Sequence, residues 1–169
     1  MTYSPDDRIL THAHDDRLAD AMARFYAETD EAIAAHKPVC INRGACCKFG
    51  SFGHKLYVTD VELAYFVRGQ RGSWKAPDGE ATCPFQVGGQ CTAREHRPLG
   101  CRIFFCDPNA KDWQGPEYER LHARLMELGE RFGVAYQYGE WLSALGRADV
   151  ELNADATNGI DAAAGPMIG

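Results

Sequence analysis

Residues 40–50 read CINRGACCKFG, which places Cys40, Cys46 and Cys47 within eight positions, two of them adjacent. Arg43 stands where a cysteine knuckle is expected to carry another thiol. A second cysteine-bearing segment, residues 83–106, follows about 35 residues later and carries Cys83, Cys91, Cys101 and Cys106. All seven cysteines of the 169-residue chain fall in these two segments. A core cysteine is usually single and sits at an apolar periodic position. These sit beside Gly, Pro, Arg and Lys, so the pattern points to a metal or cluster site rather than to packing. Reactive dithiol chemistry is the other chemical reading.

The spacings bear on the metal. A zinc ribbon uses two C-x2-C knuckles to aim thiolates at one tetrahedral ion, and this chain has none. Cys101 and Cys106 are spaced to act as a zinc pair. Adjacent Cys46 and Cys47 diverge in extended backbone and suit two metals, or two irons of one cluster. Iron-sulfur clusters accept varied spacing, so the sequence favours an iron-sulfur cluster over zinc. Seven thiols exceed the four that one ion or one cubane needs. Either a second centre exists, completed by a shared thiolate or by His54 or His96, or some thiols are spare. Arg43, Lys48, Arg97 and Arg102 lie close to the cysteines in sequence. A thiolate-bound metal is anionic and needs compensation when buried. Arg43, Arg97 and Arg102 are therefore read as groups behind the ligands that donate hydrogen bonds to sulfur.

The flanking sequence is ordinary fold. Leu18, Met22, Phe25, Tyr26, Thr29 and Ile33 form the stripe of an amphipathic helix over 15–36. Ser4-Pro5-Asp6-Asp7 has the form of a helix start. KLYV (55–58) reads as a short strand. Thr59 and Glu62 form a capping box for a helix that stops near Gly69, and a polar loop follows over 69–80. CPFQVGGQCT (83–92) reads as a hairpin turning at Gly88-Gly89. A last helical region, 116–145, opens near Pro116 with Leu121, Leu125, Leu128 and Phe132 as its stripe and Gly133 as a cap. Beyond residue 147 large apolar side chains almost vanish, which predicts a flexible tail over 147–169. The expected fold is α+β and mainly helical. A small cysteine-rich metal-binding core (38–106) with a short hairpin is packed by flanking amphipathic helices, all within one domain, 1–146.

The formal net charge of -6, without a basic stripe, argues against a nucleic-acid partner. The opening residues MTYSPDDRILTHAHDD lack the basic and apolar regions of a secretion signal. No stretch approaches a membrane span. The chain is thus read as cytoplasmic, a setting in which clustered cysteines are ligands or catalytic thiols more often than disulfides.

With these residues in view, the chain resembles the YkgJ-like cysteine-cluster family, a zinc- or iron-chelating domain. The family's first motif, C-x2-C-x2-C-C, corresponds to Cys40, Arg43, Gly44, Cys46 and Cys47. The later elements correspond to Cys83-Pro84-Phe85, Cys91 and Arg97-Pro98-Leu99-Gly100-Cys101-Arg102. The resemblance covers about residues 38–106. It departs from the family at Arg43, where a thiol is missing, and at Cys106, an extra thiol that is expected to replace it in space. The resemblance implies a metal-chelating domain holding zinc or iron.

The leading functional reading is therefore a metal-binding protein holding an iron-sulfur cluster or zinc through the seven cysteines. The alternative is a metal-dependent enzyme with an open coordination site, Arg97 or Arg102 holding an anionic group. No HExxH, GxSxG, phosphate loop or dinucleotide fingerprint supports a defined reaction. A third reading is an accessory module whose metal is structural and whose protein partner meets Tyr136, Tyr138 and Trp141. Core packing is the commoner role for such aromatics.

Overall fold

In the computed structural model, which describes residues 8–40, 44–79 and 81–163, the chain is mainly helical. The expected helix start at Ser4-Pro5 lies outside the described residues. A short helix, α1, spans Ile9–Ala13 and leads into α2, Asp16–Ala35. Asp15 caps α2 by accepting from the backbone N–H groups of Arg17 and Leu18. The stripe read from sequence is the face that α2 buries, from Leu18 to Ile33.

The first cysteine loop ends in a single turn at Ala45–Cys47 and a four-residue helix, α3, Phe49–Phe52. Strand β1, Tyr57–Thr59, then enters α4, Asp60–Gln70. The capping box forms as read. The carboxylate of Glu62 accepts from the Thr59 N–H and hydroxyl, both at 2.8 Å, and also from the Leu99 N–H at 2.8 Å. One buried side chain therefore starts α4 and fixes the entry to a distant helix. Burial pushes the Glu62 carboxyl up, against the pull of these hydrogen bonds.

Helix α4 serves two cores. Leu63, Ala64, Phe66 and Val67 face a cluster shared with α1, the cysteine loop, Phe85 and Trp141. Val61 joins a second cluster with Leu18, Phe25, Leu99, Ile103, Leu121 and Leu125. The hairpin forms at the expected place: β2, Gln86–Val87, pairs antiparallel with β3, Gln90–Cys91. Its turn residues Gly88 and Gly89 both have positive φ, which two-residue hairpin loops of type I′ require. Helix α5, Leu99–Ile103, carries the LGCR end of the RPLGCR sequence, with Pro98 at its N-cap.

The C-terminal part corrects the sequence reading. Helix α6 spans Lys111–Arg131, so it opens five residues before Pro116, which sits inside it on an exposed stretch. A turn at Pro108–Ala110, capped by Asp107, feeds the helix from upstream. Gly133, at φ 67°, closes it as expected, with Val134 N–H donating to the Gly129 carbonyl. Strand β4, Tyr138–Glu140, then pairs antiparallel with β1, and α7 runs from Trp141 to Ala163. The flexible tail expected from residue 147 is thus helical through Ala163. Alanine favours helix without large apolar neighbours, and polar contacts replace the missing stripe. Arg147 pairs with buried Asp60 at the start of α4, and Asp149 accepts from Trp74 Nε1 at 2.9 Å. Glu151 accepts from the Ile9 and Leu10 N–H groups, and Asp155 pairs with Arg71.

Truncation after Gly146 tests this directly. It removes the cap of α1 and leaves Asp60 buried without its cation. The expected cost is about 3 kcal/mol or more, read as a shift in the denaturant midpoint; an unchanged midpoint would mean the α7 contacts contribute nothing.

Candidate metal centre

The two cysteine segments meet. Gly44, at φ 67°, carries the first loop against the hairpin; a Cβ there would lie 2.8 Å from the Gly89 carbonyl oxygen. Cys83 N–H donates to the Cys47 carbonyl at 2.8 Å, which sews the segments together at the cysteines themselves. Cys46, Cys47, Cys83, Cys91 and Cys101 all line one small cavity of about 60 Å³, together with Arg97 and Trp141. That is ample room for a metal ion.

Three of the thiols form a chain. Cys46 Sγ and Cys47 Sγ are 4.0 Å apart, and Cys47 also hydrogen-bonds Cys83. Trp141 Nε1 donates to Cys83 Sγ at 3.4 Å. The charge pattern follows from these bonds. Hydrogen bonding from Cys47 lowers the Cys46 thiol to about 6 and, with the Trp141 N–H, the Cys83 thiol to about 7. Cys47, which keeps the shared proton, is pushed far up. Burial, then the neighbouring sulfurs, push Cys91 and Cys101 up as well. Ionising all of them together needs a compensating cation.

The arginines divide. Arg97 lines the cavity, and its Nε is buried with no hydrogen-bond partner. Arg102 does something else: its guanidinium donates to the Arg97 and Glu95 carbonyls, pairs with Asp30 at 2.7 Å and lies 3.9 Å over the Tyr26 ring. It is 4% exposed and does not line the cavity. It ties the Glu95 and Arg97 carbonyls to Asp30 and Tyr26 of α2. Arg43 lies outside the described residues.

The remaining expected donors stand elsewhere. Cys40 and Cys106 are exposed and neither lines the cavity. Val39 N–H donates to Asp107 at 3.2 Å, so the chain beside Cys40 runs next to the chain beside Cys106. His96 packs over Gly69 of α4 and against Tyr65, with ring centroids 5.2 Å apart. His54 Nε2 lies 3.1 Å from the Cys46 carbonyl oxygen, outside the cavity. Trp141 is the contact that sequence reasoning missed, because its donation to Cys83 spans 58 residues and has no local signature.

No family model, functionally characterised protein or solved structure matches the chain. Among the described residues, no three His, Cys, Asp or Glu side chains converge tightly enough to hold an ion as they stand. The thiols surround a space without closing on a point. Their chemistry nonetheless fits a soft metal: thiolates are the ligands of zinc and of iron-sulfur clusters, and Arg97, in the same cavity wall, has a buried Nε without a partner. Among the described residues no helix is long and apolar enough to cross a membrane.

Proposed function

We propose that the chain is a metal-thiolate protein whose ligands come from Cys46, Cys47, Cys83, Cys91 and Cys101. The observation that carries this reading is that five thiols line one cavity together with Arg97, a residue whose Nε is buried without a partner. A lone arginine nitrogen buried beside neutral thiols is costly; beside a metal held by four thiolates it donates to sulfur and offsets charge. The resemblance to the YkgJ-like cysteine-cluster family agrees with this reading.

A single tetrahedral ion suits the geometry better than a cubane. With metal–sulfur bonds of about 2.3 Å, two thiolates on one tetrahedral zinc stand about 3.8 Å apart. Cys46 and Cys47 are 4.0 Å apart, so the two adjacent side chains reach one ion with little movement. This reverses the preference drawn from spacing alone. The iron-sulfur reading is the second one, kept by the absence of the C-x2-C knuckles that zinc ribbons use.

Metal analysis with the visible spectrum of anaerobically purified protein tests both. A colourless protein with one zinc per chain is expected. Iron, acid-labile sulfide and a brown colour would replace zinc with a cluster, and absence of any stoichiometric metal would overturn the proposal. Arg97→Gln removes the charge and the Nε donor and is expected to weaken metal binding about 10- to 100-fold in competition with a chelator. Arg102→Gln is expected to lower stability through Asp30 and Tyr26 instead, leaving affinity of the folded protein within a few-fold of the parent.

A further inference from the structure

A second pocket shares a wall with the thiol cavity. It has a volume of about 220 Å³, and Cys46 and Cys101 line both spaces. Its other walls are aromatic. Tyr57 packs on Tyr138 with ring centroids 5.5 Å apart, and Phe104 packs on Tyr118 at 5.6 Å. Tyr57, Phe104 and Tyr138 are nonetheless 40%, 51% and 42% exposed. Rings gathered around one concavity and left open to solvent mark a surface that meets something.

The polar groups of the pocket are mostly donors. Exposed Lys55 contributes an ammonium, and His54 stands at the Cys46 end, held by its contact with the Cys46 carbonyl. The Tyr118 and Tyr138 hydroxyls are 2.7 Å apart, so one donates to the other and the second retains its O–H for a ligand. Among the described residues, no Asp or Glu lines the space. The volume falls below the roughly 300 Å³ at which drug-sized pockets begin, which limits the occupant to about one ring.

We infer that this pocket binds a small planar aromatic carboxylate, its ring between the Tyr57–Tyr138 and Phe104–Tyr118 pairs and its carboxylate toward Lys55 and the free tyrosine O–H. The position of the carboxylate against the Cys46–Cys101 wall rests on the metal-thiolate reading; the binding of the ring does not.

The test uses the full chain and benzoate as the probe, followed by heteronuclear NMR and calorimetry. Cobalt(II)-substituted protein supplies a second readout at the metal. Saturable benzoate binding is expected, weakened roughly tenfold by Lys55→Ala and by Phe104→Ala. Benzylamine, with the same ring and opposite charge, is expected not to compete. A change in the cobalt absorption bands on saturation supports the shared wall, and unchanged bands overturn it. Equal binding of benzylamine, or no saturable benzoate binding by folded protein, overturns the pocket assignment. If the protein carries no metal yet benzoate binds with the same dependence on Lys55 and Phe104, the pocket stands and the metal reading falls.

Discussion

Cys83→Ser is expected to abolish stoichiometric metal, whereas Cys106→Ala is expected to keep it. Cys83 is 8% exposed and sits where the two segments join, bonded through its N–H to Cys47 and through its sulfur to Trp141. Serine preserves the size and the backbone bond but offers a hard, neutral oxygen in place of a thiolate. Loss of a group that only orients a ligand costs about 10- to 100-fold in affinity, so loss of a ligand is expected to exceed about 100-fold. Cys106 is exposed and outside the cavity, so its removal should change neither metal content nor the unfolding midpoint. The pair separates two accounts of the missing thiol at Arg43. Metal lost from Cys106→Ala and retained by Cys83→Ser would restore Cys106 as the substitute ligand and sink the five-thiol site. Because metal binding contributes to folding, affinity is to be measured by chelator competition on protein shown by circular dichroism to be folded.

The contrast between these two cysteines marks where the sequence is legible. Local chemistry reads well. Thr59 and Glu62 form their box because both partners lie within one turn, and Gly88-Gly89 turns the hairpin because each can adopt positive φ. The apolar stripe of α2 is periodic enough to be seen directly. Long-range consequences do not read. Nothing near Tyr57 announces that β1 pairs with Tyr138–Glu140, since three-residue strands carry almost no pattern. The part of helix α7 beyond Gly146 escapes because alanine propensity and single polar contacts hold it, where the eye looks for large apolar side chains. Arg97 and Arg102 look equivalent in sequence. The turn into α5 separates them, placing one in the cavity wall and pairing the other with Asp30 and Tyr26. The same limit hides the aromatic pocket, whose walls come from residues 46, 54–57, 100, 101, 104, 118 and 138.

Trp141→Ala is expected to be the most destabilising single change. The side chain is 1% exposed, and its ring meets Phe66 edge-on with centroids 4.8 Å apart and an interplanar angle of 87°. The residue also anchors the start of α7, its N–H donating to the Leu56 carbonyl at 2.8 Å. Truncation of a buried tryptophan costs about 3–5 kcal/mol through lost burial and the cavity left behind. For a domain of this size that corresponds to a fall in Tm of about 6–20 °C. Trp141→Phe divides the effect. Phenylalanine keeps most of the packing against Phe66 but has no N–H for Cys83 Sγ. Its stability cost is expected to stay near 1–2 kcal/mol, while metal affinity falls about tenfold because the sulfur loses an orienting donor. Thermal unfolding and chelator competition on the two variants read these quantities separately. Should Trp141→Phe bind metal as tightly as the parent, the indole N–H serves the core alone, and the link between α7 and the thiol site is one of packing rather than of charge.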